Sequence, residues 1–221
     1  MRLVPKQKIL EILNDSRLEL TGFHFSDEMI RQFQEFCALL LKWNKKINLV
    51  SEEDAASIMG KHVYDSLQYL RWLDSGCRAL DIGSGAGFPG VPIKILQPDL
   101  ELTVMDSQRK RCNFLREVIR RLGLKKICVV DGRAEDFSSP SGLKGQFDRV
   151  LFRGFGSLEA CLTIGCPFLK PGGRIILQKS PDEIADFPEN CPQNVRIVET
   201  RSVSGFYGRD SLMMVIEKCS T

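Results

Sequence analysis

The sequence predicts an α/β fold in which a helical extension, residues 1–75, precedes a seven-stranded and mostly parallel sheet formed by residues 76–221. Three observations support this prediction. Before Gly76, apolar residues recur at helical spacing and no strand pattern appears. After Gly76, short apolar segments alternate with helical patterns, as they do in parallel sheets. The last two apolar segments have no helical pattern between them, which predicts an antiparallel hairpin that closes the sheet.

The extension contains two helical patterns. Ser26 is a suitable cap for the first, whose apolar residues recur every three or four positions as far as Leu41. The second runs from Ala55 to Leu73 and ends at the turn-forming residues Asp74-Ser75-Gly76. Both patterns predict helices with one apolar face.

The second part of the chain has clear boundaries between its elements. Lys110–Leu122 is the clearest helix, because its apolar residues share one face. The run Lys170-Pro171-Gly172-Gly173 predicts a stop and a turn before the fifth strand. The predicted strands are Arg78–Ile82, Glu101–Met105, Ile127–Asp131, Arg149–Phe152, Gly173–Gln178, Val195–Thr200 and Leu212–Glu217.

The bulk composition excludes several classes of protein. No apolar run reaches membrane-spanning length and the first residues do not form a signal peptide, so we expect a cytoplasmic protein without a membrane partner. The net charge of +3 is too small to indicate a partner by itself. The eight cysteines form no C-x-x-C pair and the chain has two histidines, so we expect reduced thiols and no metal site. We also expect a monomer.

The segment ALDIGSGAGFPG, residues 79–90, is the most informative part of the sequence. It has the pattern of a buried strand that runs into a loop containing Gly83, Gly85 and Gly87. Glycines at such a loop allow positive φ and a close approach of ligand to backbone. A following helix would direct its free N–H groups at that ligand. These features predict a nucleotide-type cofactor loop.

Two cofactors fit this loop, and Asp81 discriminates between them. Gly85, Gly87 and Gly90 also stand in the G-x-G-x-x-G order of dinucleotide-binding loops. An anionic pyrophosphate would be repelled by the Asp81 carboxylate, whereas the sulfonium and ammonium groups of S-adenosylmethionine would be attracted. The sequence therefore favours a methyl donor, although a purely structural glycine-rich turn remains an alternative.

The ends of the other predicted strands supply further candidates, because ligands of open α/β sheets bind beyond the carboxyl ends of the strands. Asp106 lies about twenty residues beyond the loop, where a carboxylate binds a ribose diol, or it caps the next helix. Ala134 and Glu135 follow the third strand and would lie near an adenine, unless Glu135 is a solvated residue at the start of a helix. Arg153 follows the fourth strand, so it would enter the cleft and bind an anionic or π partner, or form a structural salt bridge. Phe88 would either cover the cofactor or belong to the core.

The segment after the fourth strand limits the choice of methyl acceptor. Arg153-Gly154-Phe155-Gly156 is not the proline-rich motif of adenine-N6 methyltransferases, and no cysteine nucleophile or histidine base ends a strand. An acceptor that is already nucleophilic remains, and guanine N7 fits because it needs orientation and no deprotonation. Eight basic residues between Arg109 and Lys126 would suit a polyanionic substrate, or form a solvated helix face.

With these motifs together, the chain resembles the glucose-inhibited division protein B family of bacterial 16S ribosomal RNA guanine-N7 methyltransferases. The resemblance covers nearly the whole chain, and the combination of motifs is specific where no single motif would be. The matching segments are Trp43-Asn44, Asn48-Leu49, Lys61-His62-Val63-Tyr64-Asp65-Ser66-Leu67, Asp81 to Gly90, Asp106-Ser107 with Lys110-Arg111 and Phe114-Leu115, Phe147-Asp148 to Arg153, and Lys179.

The resemblance implies a class I methyltransferase, Rossmann-like fold with S-adenosylmethionine as cofactor. It implies methyl transfer to N7 of a guanine in the decoding region of 16S rRNA, free or in the 30S subunit. It implies cofactor contacts at Gly83, Phe88, Ala134, Glu135 and Arg153, with Asp106 near the ribose. Together with the residue-based argument, this gives the expected cofactor-binding set Asp81, Gly83, Gly85, Gly87, Phe88, Asp106, Ala134, Glu135 and Arg153.

Arg153, Asn48 and His62 are the candidate catalytic residues, the last two because the resemblance places them towards the cleft. The sequence departs from the family at several positions: Phe152 and Gly154 flank the arginine, Ser180 follows Lys179, and Arg209 lies about two residues too early. A dinucleotide-dependent oxidoreductase and a non-catalytic RNA-binding module remain the alternative functions.

Overall fold

The structure is a computed structural model that describes residues 3–137, 142–181 and 194–219. Seven strands form one sheet in the order β3-β2-β1-β4-β5-β7-β6. Strands β1 to β5 pair in parallel, whereas β7 is antiparallel to both of its neighbours. The strands are β1 (Arg78–Ile82), β2 (Glu101–Asp106), β3 (Ile127–Asp131), β4 (Phe147–Arg153), β5 (Leu169–Lys179), β6 (Val195–Ser204) and β7 (Asp210–Lys218).

This topology confirms the predicted fold class. All seven strands occur where the sequence predicts them, and β1 and β3 have the predicted bounds. The predicted hairpin is formed by β6 and β7, although both strands are longer than expected and its tip is the short segment 205–209. Inserting β7 between β5 and β6 places the antiparallel pair at one edge of the sheet.

The turn predicted at Lys170–Gly173 is wrong as a boundary of the fifth strand. β5 already begins at Leu169, which pairs with Phe147, and pairing resumes at Arg174 opposite Arg149. The intervening residues form a bulge, with Gly172 at φ +73°. Glycine adopts this conformation without strain, so these turn-forming residues insert a bulge into β5 and do not end it.

Eight α-helices are present in the described ranges, and the sequence predicts the longest ones well. In the first, long helical pattern, Ser26 Oγ accepts a hydrogen bond of 3.2 Å from Met29 N, as a capping serine should. The helices are α1 (Lys6–Leu13), α2 (Asp27–Ile47), α3 (Ala55–Ile58), α4 (Tyr64–Leu67), α5 (Gly90–Leu96), α6 (Arg109–Leu122), α7 (Ala134–Phe137) and α8 (Leu158–Gly165).

The second helical pattern of the extension is divided into four parts. A π-helical turn, Met59–Val63, separates α3 from α4, and a 3-10 turn, Gln68–Trp72, follows α4. π-helical turns shift the side chains that follow them and occur frequently at functional sites. This turn contains His62 and therefore sets the position of that side chain.

The N-terminal helices belong to the same core as the sheet. Phe33 and Phe36 of α2 lie in one buried apolar cluster with Phe114 of α6 and with Leu151 on one face of the sheet. A second buried apolar cluster, on the other face of the sheet, contains Phe152 and residues of α8. The core is therefore continuous across the predicted boundary between residues 75 and 76.

The tip of the β6–β7 hairpin packs against the first residues of the chain. Arg17 Nη1 donates to the carbonyl of Gly205 at 3.2 Å, and the Phe206 ring lies 5.5 Å from the Tyr64 ring. The Lys8 ammonium lies 4.9 Å above the Phe206 ring. Chain segments that are far apart in sequence thus meet beside the carboxyl ends of the strands.

Three further features can be stated for the described residues. No helix there is both long and apolar enough to cross a bilayer. No group of three or more histidine, cysteine, aspartate or glutamate side chains in those ranges could hold a metal ion. Seven cysteines are free thiols, and Cys191 lies outside the described residues.

Candidate active site

Two adjacent cavities lie at the carboxyl ends of the central strands and meet at Gly154. The first cavity has a volume of about 350 Å³. The second cavity has a volume of about 380 Å³. The first is lined by Ile82, Gly83, Met105, Asp106, Ser107, Arg111, Gly132, Arg133, Ala134, Glu135, Gly154 and Phe155. The second is lined by His62, Asp65, Arg153, Gly154, Gln178, Lys179, Ser180, Arg209, Asp210 and Ser211.

The glycine loop forms one wall of the first cavity. Gly83 has φ +73°, and a Cβ added there would lie 2.8 Å from the Phe155 ring. Gly87 has φ +88°, and a Cβ there would lie 2.7 Å from a methyl group of Val91. Both positions therefore require glycine, the first for the cavity wall and the second for packing of α5.

Asp81 lies behind this loop and does not line the first cavity. Its side chain is fully buried, and Oδ2 accepts a hydrogen bond of 3.0 Å from Gly90 N. Oδ1 has no hydrogen-bond partner among the residues that the structure describes. Burial raises the pKa of Asp81 to about 7, although the hydrogen bond from Gly90 opposes this shift.

The helix after the loop does not offer its first N–H to a ligand, so the sequence prediction of free N–H groups is wrong there. Gly90 N is the first amide of α5, and the Asp81 carboxylate occupies it. The next amide, Val91 N, donates to the carbonyl of Gly87. The carboxylate thus acts as an internal cap, a role that the strand-loop pattern did not indicate.

Asp106 is at the end of β2 and lines the first cavity. Its carboxylate is nearly completely buried, with Oδ2 accepting from Gly85 N at 2.9 Å and Oδ1 accepting from Gln108 N at 2.8 Å. Arg111 Nη1 lies 3.6 Å from Oδ2. Asp106 therefore holds the middle of the glycine loop while it faces the cavity.

Ala134 and Glu135 reach the first cavity from the start of α7, as expected from the third strand end. Ala134 is buried and Glu135 is exposed. Gly85 and Gly87, by contrast, are not part of the lining among the residues described for this cavity, and they shape the loop from behind. The predicted cofactor set is therefore divided between lining residues and residues that support them.

Arg153 ends β4 and lines the second cavity. Its Nη2 lies 3.1 Å from His62 Nδ1 and 3.2 Å from Asp65 Oδ2, and its guanidinium carbon lies 5.6 Å from the centre of the Phe88 ring. Nε is buried and makes no hydrogen bond within the described parts of the chain. Burial raises the pKa of Asp65, although Arg153 opposes this effect.

His62 connects Arg153 to a second carboxylate. Its Nε2 lies 2.6 Å from Glu52 Oε2, and its ring is stacked on Phe88 with centroids 5.0 Å apart. Burial and the neighbouring Arg153 lower the pKa of His62, while Glu52 opposes this shift. Phe88 is itself buried and also contacts Phe36, so it supports His62 and Arg153 from the core.

Asn48 lies apart from both cavities. It is the exposed residue that ends α2, with φ 47°, and it does not occur in the described lining of either cavity. Asn44 instead organises this loop, because its Oδ1 accepts from Leu49 N and Val50 N and its Nδ2 donates to Val50 O. A catalytic role for Asn48 stays a prediction that the site geometry does not support.

The sequence reasoning missed Glu52 as a site residue and gave no role to Asp65. Asp65 follows His62 by three positions, and this spacing places two side chains on one side of a helix. Glu52 has no such local signal, because it lies in a loop and reaches His62 only in the folded chain. Arg209, which is out of register with the family motif, nevertheless lines the second cavity.

Comparison with known sequences agrees with this geometry. A model of the rRNA small subunit methyltransferase G family matches residues 29–207. The ribosomal RNA small subunit methyltransferase G of Desulforamulus reducens is 43% identical over 162 residues, which are 72% of this chain and 68% of that protein. The protein of the same name from Alkaliphilus metalliredigens is 35% identical over 94% of this chain and 89% of its own length.

Solved structures support the fold. An S-adenosylmethionine-dependent methyltransferase from Aquifex aeolicus superimposes with a TM-score of 0.55 at 16% identity, covering 73% of this chain and 93% of that one. TrmN from Thermus thermophilus gives a TM-score of 0.55 at 25% identity, over 71% of this chain and 48% of its own. The predicted class I methyltransferase fold and the family resemblance are confirmed, and the chain belongs to the rRNA small subunit methyltransferase G family.

Proposed function

We propose that this enzyme transfers a methyl group from S-adenosylmethionine to N7 of a guanine in the decoding region of 16S rRNA. One observation carries the proposal: a cavity lined by glycine backbone and the carboxylates of Asp106 and Glu135 meets, at Gly154, a second cavity lined by both cationic and acidic side chains. The first cavity also contains Arg111 and Arg133, so its carboxylates suit the hydroxyl and amine groups of the donor, not a net negative charge. The cations of the second cavity suit an electron-rich base attached to phosphates. The junction of the two cavities is where donor and acceptor would meet.

The first cavity offers partners for the separate parts of S-adenosylmethionine. Gly83 would let the cofactor approach the backbone, Asp106 and Glu135 would receive its hydroxyl and amine donors, and Ala134 would lie against the adenine. Asp81, Gly85 and Gly87 would act from behind by fixing the loop, and Asp81 would add a favourable charge for the sulfonium when it is ionised. When bound, the cofactor supplies an electrophilic methyl group.

The second cavity fits a guanine that has left its stack. Arg153 and Arg209 can donate hydrogen bonds to guanine O6 or to a phosphate, as arginine does in nucleic-acid complexes. Asp65 and Asp210 line the same cavity and would stabilise the positive charge that N7 methylation places on the ring. This arrangement orients a base and requires no proton removal.

The hydrogen bonds of His62 argue against a role as general base. Both of its ring nitrogens are engaged, Nε2 by Glu52 and Nδ1 by Arg153. An acceptor that needs deprotonation would therefore find no free base at this residue. Guanine N7 has no proton to lose, so catalysis can come from proximity and orientation, with His62 placing Arg153.

The dinucleotide alternative is disfavoured by the loop itself. Of its amides, Gly85 N donates to Asp106 and Gly90 N donates to Asp81. A pyrophosphate at this loop would meet two carboxylates where a dinucleotide site offers free N–H groups. A non-catalytic RNA-binding module would bind RNA without transferring a methyl group.

We expect 16S rRNA or the assembled 30S subunit to be the partner of a monomeric, cytoplasmic enzyme. The basic helix α6 is partly neutralised, because Arg120 pairs with Glu117 and Arg121 pairs with Glu35. Phosphate contacts would therefore come from other cations, including Arg209 at the second cavity. Such contacts would make RNA affinity fall as salt concentration rises.

Two measurements test the proposed function. Calorimetry with S-adenosylhomocysteine and with NAD should show binding of the former, and tighter binding of NAD would overturn the cofactor assignment. Methyl transfer from labelled S-adenosylmethionine to naked 16S rRNA and to 30S subunits should label one guanine, which chain cleavage at N7-methylguanine and primer extension would locate. Cofactor binding without label in either substrate would favour the RNA-binding alternative.

A further inference from the structure

Glu52 occupies an unusual position for a loop carboxylate. It is 8% exposed, although it lies between α2 and α3, and it contacts two side chains of the π-helical turn. Oε2 lies 2.6 Å from His62 Nε2 and Oε1 lies 3.2 Å from Lys61 Nζ. Its neighbour Glu53 is exposed. Glu52 lines neither the first nor the second cavity in the described residues.

The contacts of His62 select one tautomer. Arginine nitrogens only donate hydrogen bonds, so the contact with Arg153 Nη2 requires a lone pair on His62 Nδ1. The ring proton then lies on Nε2, where the Glu52 carboxylate accepts it. Glu52 and Arg153 therefore favour the same neutral form of His62 from opposite sides of the ring.

We propose that Glu52 is a positioning residue which, by fixing the tautomer of His62, holds the Arg153 guanidinium in the wall of the second cavity. Three groups determine the place of Arg153: His62 Nδ1, Asp65 Oδ2 and the face of Phe88. Without Glu52 the ring proton is free to move to Nδ1, and Arg153 then meets a donor where it had an acceptor.

The charged groups around His62 determine how its contact with Arg153 depends on pH. Arg153 of β4 and Lys61 of the π-helical turn are cationic, whereas Glu52 of the loop and Asp65 of α4 are carboxylates. Burial alone would raise the pKa of Glu52, but its hydrogen bonds with His62 and Lys61 lower that pKa to about 2, so it stays ionised. Protonation of His62 at low pH would put a proton on Nδ1 and break the contact with Arg153.

The inference rests on the proposed function, and its test combines a kinetic and a spectroscopic measurement on the full-length protein. Single-turnover methyl transfer is measured against pH for the wild type, Glu52→Ala, Glu52→Gln and the matched control Glu53→Gln. Nitrogen-15 shifts of the imidazole report the protonation of each ring nitrogen. The chain has two histidines, so a His24→Gln variant assigns the signals.

We expect Glu52→Ala to lower kcat about tenfold at neutral pH, which corresponds to the loss of one hydrogen bond to a charged group, with KM for S-adenosylmethionine unchanged. Its His62 should show a mixture of tautomers. Glu52→Gln retains an acceptor for Nε2–H and should recover most of kcat. In both variants the acid limb of the pH profile should move to lower pH, because the anion that favours protonated His62 is gone. Glu53→Gln should match the wild type.

Two results would overturn the inference. One is a Glu52→Ala variant with wild-type kcat, whatever the tautomer of His62. The other is a loss of kcat with an unchanged imidazole spectrum, or with an acid limb that stays in place, which would make Glu52 a structural residue. If the wild type methylates no RNA, the proposed function fails, while the imidazole spectra still decide whether Glu52 sets the tautomer.

Discussion

The two cavities that meet at Gly154 are built in different ways. The first is made from the ends of β1 to β4, the turns that follow them and the first residues of α6 and α7, so its residues follow the carboxyl ends of neighbouring strands. The second combines the π-helical turn, the end of β4 and the hairpin β6–β7, which are distant in sequence. Hydrogen bonds from backbone N–H groups fix the residues of the first cavity, whereas contacts between charged side chains fix those of the second. A substitution in the first cavity should therefore weaken cofactor binding, and one in the second should lower turnover.

The largest effect is expected from Arg153→Ala, which removes the cation shared by His62 and Asp65. Single-turnover methyl transfer should fall about 100-fold, the usual result of losing a positioned donor, while the fold stays intact. Binding of S-adenosylhomocysteine, measured by calorimetry, should change little. Arg196→Ala is a matched control, because Arg196 is exposed and pairs with Glu217 at the edge of the sheet. Unchanged methyl transfer by Arg153→Ala would give Arg153 a structural role.

The converse pattern is expected for Asp106→Asn. Its carboxylate accepts from both Gly85 N and Gln108 N, and an amide has one acceptor oxygen, so one of these N–H groups loses its partner. Affinity for S-adenosylhomocysteine should fall about tenfold or more in calorimetry. Asp131→Asn is the control, since Asp131 is exposed and pairs in register with Asp106 on the next strand. Equal affinities of the two variants would contradict a role for Asp106 in holding the cofactor.

Asp81→Asn should change stability and cofactor affinity in opposite directions. Burial raises the pKa of Asp81 to about 7, so ionisation of this carboxyl lowers the free energy of unfolding. The loss is complete above pH 7 and disappears as the pH falls to 3.8, the ordinary pKa of the group. Without ligand, the variant should be more stable than the wild type by up to about 4 kcal/mol at pH 8 and by about half of that at pH 5.5. Urea unfolding at both pH values measures this.

Cofactor binding by Asp81→Asn should nevertheless weaken, because the favourable charge behind the loop is lost. Asp99→Asn, at an exposed carboxylate paired with Lys126, controls for a general change of charge. A variant that is less stable than the wild type at pH 8 would contradict the raised pKa of Asp81.

The smallest effects on turnover are expected at the end of α2 and in the loop after it, which carries Glu52. Asn44→Ala removes three hydrogen bonds to Leu49 and Val50 and should lower the free energy of unfolding by about 2 kcal/mol. Asn48→Gly should change it by a few tenths of a kcal/mol, because glycine adopts positive φ readily. It should also keep methyl transfer within about twofold of the wild type. A large loss of turnover in Asn48→Gly would restore the catalytic role that the family resemblance suggested.

The sequence predicted the first cavity better than the second for a physical reason. Gly83 and Asp106 lie at strand ends, and parallel strands bring their carboxyl ends to one edge of the sheet, so local patterns place them together. The position of Asp81 was predicted, but its use as an internal cap depends on how closely Gly90 approaches it. Glu52 reaches His62 through a loop and a π-helical turn, and neither has a periodic sequence signal.

The same contrast between local patterns and tertiary contacts explains why the predicted start of the fifth strand was wrong. Lys170-Pro171-Gly172-Gly173 has the composition of a turn, and its backbone does leave the regular strand path. Pairing of Leu169 with Phe147 on the near side is decided by β4, which local composition does not report. Composition thus predicted the irregularity, and tertiary contacts determined that it became a bulge.

The contacts of the hairpin tip with the N-terminal helices have a consequence for distant substitutions. Arg209 enters the second cavity from the turn between β6 and β7. The same turn contacts Arg17 through Gly205 and Tyr64 through Phe206. Because one short turn makes both sets of contacts, loosening its hold on the N-terminal helices would also displace part of the wall of the acceptor cavity.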